Sequence, residues 1–186
     1  MNGRVDVIID GGDSDFGLES TIVKINDDCS LTLLRPGKVS PDDLSMLGFC
    51  VNIDSAVTDK LKEGVRVLSP GMKYKHYAPK AEFILLDGER EEIIEYLKKV
   101  GDGHTAVLCY SEDVSKLRSL NLGFGIFDFG SINNPETQAH LLFNLLREID
   151  KKSYVKAFAP LPSKSGIGLA LYNRMIRAAA HKIIRL

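Results

Sequence analysis

The densest chemistry in the chain sits in "SPGMKYKHYAP", residues 69–79. Within it Lys73, Tyr74, Lys75, His76 and Tyr77 set two cations among three rings. Pro70, Gly71 and Pro79 break helix and strand alike, so these groups belong to a loop. A loop of this kind could lie across a pocket mouth, its rings excluding water and its lysines meeting anionic charge. Its prolines would lessen the entropy lost on closure. The plainer alternative is a stiff spacer with incidental aromatics.

Two shorter runs could hold ligand. In "GLEST" (17–21) a glycine loop enters a strand, and Ser20 and Thr21 offer hydroxyls beside exposed backbone N–H groups, fit to grip a carboxylate or a phosphate. Simple loop capping competes with that reading. In "LLRPG" (33–37) Arg35 closes a strand ahead of a fixed turn, where its planar fork could meet a phosphate, or merely face water. Two other runs are rejected as nucleotide loops. "SKSGIGLAL" has Leu171 where the third small residue of a dinucleotide fingerprint belongs, so Ser165 is read as an N-cap and the glycines as packing positions. "GKVS" lacks the upstream glycine of a phosphate loop. His104, His140 and His181 are scattered without metal-ligand spacing, and no metal ligands are assigned.

These residues need elements to position them. Residues 5–10 (VDVIID), 20–25 and 31–34 read as short strands, the last two joined by a hairpin turn at NDDCS. Ser40-Pro41-Asp42-Asp43 predicts an N-cap and a short helix stopped by Gly48. Pattern dissolves over 51–80 apart from a possible helical turn near 56–63. From 81 onward strands alternate with amphipathic helices: strands at AEFILLDG, HTAVLCYS, FGIFDFGS and SYVKAFAPLPS, and a closing helix over GIGLALYNRMIRAAAHKII. Ile93, Ile94 and Leu97 mark the core face of the first of these helices, and Leu141, Leu142, Leu145 and Ile149 that of the long one. The spacing predicts an open, parallel α/β sheet.

Composition narrows the function class. The 186 residues carry a formal net charge of −1 and are 44% hydrophobic and 26% charged, a globular balance. Bulk electrostatic holding of a nucleic-acid backbone is not expected at that charge. Three cysteines without CxxC spacing fit a reducing compartment, no apolar run reaches membrane-spanning length, and a cytoplasmic location is expected.

Taken in order, "DGG…FGLESTIV", "LLRPG", "SPGMKYKHYAP" and "GIGLALYNRMIRAA" resemble the longer, two-domain YrdC-like threonylcarbamoyl-AMP synthases. The resemblance implies a C-terminal remnant of the YrdC-type catalytic domain over 1–50, an interdomain linker or lid over 51–80, and a C-terminal Rossmann-like domain over 81–186. It also implies that L-threonine, bicarbonate and ATP with Mg²⁺ are joined into threonylcarbamoyl-AMP, which other proteins use to modify tRNA. By position, Ser20 and Thr21 would contact threonine, and Arg35, Tyr77 and His76 would contact ATP. Lys73, Tyr74 and Lys75 would belong to the lid, and Glu19 would orient its loop. The family's basic cluster is missing from these residues, so the expectation is a C-terminal portion lacking roughly the first half of the enzyme, inactive alone, with a separately encoded N-terminal half as one possible partner. The alternative is a non-catalytic binding or regulatory module for a nucleotide or a tRNA-modification partner.

Overall fold

The computed structural model describes residues 3–12, 14–60 and 78–186. Its first part is a three-stranded sheet in the order β1-β2-β3. β1 (Ile22–Ile25) pairs antiparallel with β2 (Leu31–Arg35), and β3 (Val51–Ile53) pairs parallel with β2. The β1–β2 connection turns at Cys29, which takes a φ of 63°. There Asn26 Nδ2 donates to Ser30 Oγ and Thr32 Oγ1, both at 2.9 Å, and pins the hairpin from inside.

Helix α1 (Pro41–Met46) begins where the Ser-Pro-Asp-Asp run predicts it. Ser40 and Asp43 cap each other: the Asp43 N–H donates to Ser40 Oγ, and the Ser40 N–H and hydroxyl donate to Asp43 Oδ2 at 2.8 and 2.7 Å. Those two donors hold the Asp43 carboxyl below its usual range, the hydroxyl contributing most. Such reciprocal capping satisfies N–H groups that a helix start leaves without partners. Gly48, at φ +90°, ends the unit.

The expected strand at 5–10 is absent. The segment is irregular and exposed, with Val7 76% and Ile9 92% accessible. A β-rich run becomes a strand only where a neighbouring edge completes its ladder, and no described strand pairs with it.

The second part is a five-stranded sheet in the order β6-β5-β7-β4-β8, every pairing parallel. It comprises β4 (Glu82–Asp87), β5 (Thr105–Cys109), β6 (Gly125–Asp128), β7 (Lys156–Pro160) and β8 (Ile183–Arg185). Helices α2 (Arg90–Val100) and α3 (Ser111–Ser119) cover one face, and α4 (Pro135–Lys151) and α5 (Gly168–Ala178) cover the other. Strand alternation divides the core accordingly. Ala106 and Leu108 of β5 join Leu142 and Met175, while Val107 and Cys109 join Ile94 and Leu97.

Three expectations about this part need correction. Ile183–Arg185 is a fifth strand beside β4, not the end of the closing helix. Ala180 and His181 adopt φ of 49° and 62°, which stops α5 and turns the chain back into the sheet. In α4 the buried face is Leu142, Leu146 and Ile149, with Leu141 and Leu145 only partly covered, because the stripe runs one position later than its leucines imply. Ser165 does not cap α5: the cap position is Ile167, without a side-chain bond, and the Ser165 hydroxyl pairs with Ser163 Oγ at 2.8 Å.

Candidate functional site

Ser20, Thr21 and Arg35 lie within one small neighbourhood. β1 and β2 run antiparallel, so the entry to β1 faces the exit of β2, and Ile22 pairs with Arg35. Arg35 Nε donates to the Ser20 carbonyl at 2.8 Å. Thr21 Oγ1 donates to the Val39 carbonyl at 2.8 Å. Between them Gly37 lies against the loop, where a Cβ would stand 2.4 Å from the Thr21 amide nitrogen and 2.5 Å from the Glu19 carbonyl oxygen. The glycine of "LLRPG" is therefore a packing requirement: the turn after β2 presses on the backbone of "GLEST".

The arrangement is a shallow corner with mixed donors. Ser20 is exposed, and Thr21 and Arg35 are half-buried. The Thr21 hydroxyl, while donating a hydrogen bond to the Val39 carbonyl, keeps lone pairs that can accept one. Arg35 spends one N–H on Ser20 and carries further donors on its terminal nitrogens. Lys73, Tyr74, Lys75, His76 and Tyr77 lie outside the described residues.

The loop is held from behind by the second part of the chain. Glu19 Oε2 stands 2.7 Å from Arg174 Nε on α5, whose side chain is only 5% exposed. Gly17, at φ +77°, packs on α4: a Cβ there would lie 2.7 Å from the Cα of His140. Asn173, next to Arg174, and Arg177, one turn further on, grip the 3-10 turn Ser55–Val57. Asn173 Nδ2 donates to the Val57 carbonyl and an Arg177 terminal nitrogen to the Ala56 carbonyl, both at 2.6 Å. Leu169 of α5 completes the contact by closing a cluster with Leu33 and Val57. Burial first, and then Arg174, lower the Arg177 pKa, as expected for two cations brought under one turn.

Sequence reasoning did not find Arg174, Asn173 or Arg177. A signal existed: "YNRMIRAA" places three polar groups in a helix otherwise apolar on every side, and the eleven residues of α5 are all buried. Such groups require partners from another element.

With this geometry in view, the relatives of the chain are informative. The family model described as "Threonylcarbamoyl-AMP synthase, C-terminal domain" matches residues 40–180. The threonylcarbamoyl-AMP synthase of Bacillus subtilis is 30% identical over the whole chain, which covers 52% of that protein. The enzyme of the same name from Pyrococcus abyssi is 29% identical over 98% of the chain, again 52% of its own length. Among solved structures, P. abyssi Sua5 complexed with L-threonine superposes with a TM-score of 0.77 at 30% identity, over 99% of this chain and 52% of that one. A double-alanine variant of the same protein gives 0.79 at 29% identity, over 100% and 52%. The chain thus spans about half the length of the curated relatives it matches. Matched by the C-terminal family model over well more than half of its residues, the chain belongs to the threonylcarbamoyl-AMP synthase family.

Proposed function

We propose that this chain supplies the C-terminal portion of an enzyme that makes threonylcarbamoyl-AMP from L-threonine, bicarbonate and ATP, for threonylcarbamoyladenosine modification of tRNA. Membership of the family supports a role in that modification. The observation that carries the residue assignment is the Arg35–Ser20 contact, because it puts a fixed cation beside a hydroxyl-bearing loop at one corner.

The chemistry needs such a corner. Threonine's amine adds to bicarbonate with loss of water, giving a carbamate. A carbamate oxygen then forms a bond to the α-phosphorus of ATP, and the bond to the pyrophosphate oxygen breaks. Ser20 and Thr21 would hold threonine, with Thr21 Oγ1 accepting from it while donating to Val39. Arg35 would stabilise charge growing on phosphate oxygens, and Tyr77 and His76 would contact the nucleotide from the linker. Carbamates decompose in water, which gives a covering loop of Lys73, Tyr74 and Lys75 its purpose. Mg²⁺ would travel with the ATP phosphates as part of the substrate. The product would pass to proteins that act on tRNA.

The test follows threonine-dependent pyrophosphate release from ATP in bicarbonate buffer. The 186 residues by themselves should show none, and release should appear when the remaining half of the relatives' length is supplied, fused or as a separate chain. Release from the 186 residues alone would overturn the assignment of Ser20, Thr21 and Arg35 to a shared pocket.

A further inference from the structure

The second sheet carries a cleft that the reaction above does not use. It opens at the carboxyl ends of β4, β5 and β7, where Asp87, Tyr110 and Pro160 leave the sheet, and its volume is about 470 Å³. β4 and β7 are neighbours, yet β4 leads into α2 on one face and β7 into α5 on the other. A crevice at such a reversal is where open α/β sheets bind small molecules.

The lining restricts what could bind. Gln138 on α4 is 4% exposed and donates through Nε2 to the Ser131 carbonyl at 2.7 Å. Its side-chain oxygen accepts from no described group, although the residue lines the cleft. An amide oxygen on the wall of a cleft can accept from a ligand that donates. Ser163 and Ser165, their hydroxyls 2.8 Å apart, edge the opposite side at the start of α5. Between these polar points run Ile93, Ile132, Leu161 and Leu171, an apolar floor suited to a flat ring. Charge at the mouth is negative. Glu89 and Asp87 both line it, Asp87 with only the loose, exposed pairing of Arg185 Nε at 3.8 Å, while the guanidinium of Arg90 is bonded to Asp113 at 3.1 and 2.6 Å. Burial, and then Asp113 and Glu112, raise the Tyr110 phenol, which keeps it a neutral donor. Phosphate groups are disfavoured beside two carboxylates, whereas ribose hydroxyls and an exocyclic amine match the acceptors.

We infer that the cleft between β4 and β7 is a binding site for an uncharged nucleoside, with its ring on the apolar floor and a donor group on Gln138. The site is separate from the corner at Ser20, Thr21 and Arg35 and does not depend on the function proposed for that corner.

The experiment titrates the 186-residue chain with adenosine, AMP and ATP, followed by amide chemical-shift changes. Adenosine should shift residues around Tyr110, Gln138 and Ser165 saturably, and AMP and ATP should bind there progressively more weakly. Gln138→Leu should weaken adenosine at least about tenfold, the loss expected for one buried hydrogen bond. Ser165→Phe, at an exposed position, should fill the cleft and abolish binding while leaving the fold intact, which guards against Gln138→Leu failing to fold. No saturable shift at millimolar adenosine, tighter binding of ATP than of adenosine at the residues around Tyr110, Gln138 and Ser165, or insensitivity to Ser165→Phe would each overturn the inference.

Discussion

Arg174 on α5 reaches across the molecule to Glu19, the residue immediately before the candidate ligand hydroxyls, with Nε 2.7 Å from Oε2. The contact is one of charge and distance, since Oε2 makes no directed hydrogen bond. The two parts of the chain are thereby joined at the base of the "GLEST" loop, and whatever Ser20 and Thr21 bind, their backbone is set from the far side by a helix of the parallel sheet.

Removing either partner should therefore cost stability. Glu19→Gln and Arg174→Met should each destabilise by about 1–3 kcal/mol, less than a fully buried pair because part of Glu19 still meets water. Denaturant titration of both single variants and the double variant measures this. The double variant should be more stable than the sum of the singles predicts. Strict additivity would show that the two charges do not feel each other.

Gly37→Ala tests the turn against the loop. The added methyl would overlap backbone atoms of Glu19 and Thr21, which cannot rotate aside as a side chain can. A loss of about 2–3 kcal/mol is expected, with faster amide exchange over residues 19–21 than elsewhere. An unchanged exchange pattern would mean that the turn and the loop are not packed as described.

Substrate preference should separate the two edges of the corner. In a protein carrying the remaining half of the relatives' length, Arg35→Ala should raise the KM for ATP more than that for threonine. Thr21→Ala and Ser20→Ala should do the reverse, each by about 1.5–3 kcal/mol. Because Arg35 also holds the Ser20 carbonyl, its replacement should carry a smaller threonine penalty as well. Equal effects on both substrates from every variant would argue against ligand roles.

Cys109 provides a pH test. Burial, and then Asp113 and Asp128, push its thiol up to about 12, whereas Cys29 and Cys50 are exposed. Alkylation of the native protein near neutral pH should modify Cys29 and Cys50 and spare Cys109, as counted by mass spectrometry. A folded pKa above the unfolded one means that the folded state keeps a proton the unfolded state releases. The corresponding stability is complete below the unfolded value and is lost as pH climbs from about 9 towards 12. Cys109→Ala should flatten the alkaline side of the stability profile.

How much of this was legible in the sequence differs by element. The parallel sheet was, because each of β4 to β7 is followed by a helix with its own apolar stripe, and local period alone requires that layering. β8 was not, because two consecutive left-handed residues, Ala180 and His181, end α5, and neither residue type announces that conformation. The segment at 5–10 misled for the opposite reason: its composition suits a strand, but a strand also needs an edge to pair with. At the corner, the proximity of Arg35 to Ser20 follows from a hairpin that could be counted in residues. Arg174 lies some hundred and fifty positions from Glu19, and no local pattern names a partner at that distance.

The grip of α5 on the 3-10 turn bears on how this protein should be dissected. A fragment starting at residue 78 would contain the whole parallel sheet and pass as a tidy domain. Its surface would also present Asn173, Arg174 and Arg177 beside Leu169, stripped of Val57, Glu19 and Ala56. Two clustered guanidinium groups next to an apolar side chain would attract nucleic acid or acidic proteins in a pull-down. Such a capture would record a wound left by the scissors, and experiments on the excised sheet need a control in which residues 14–60 are restored.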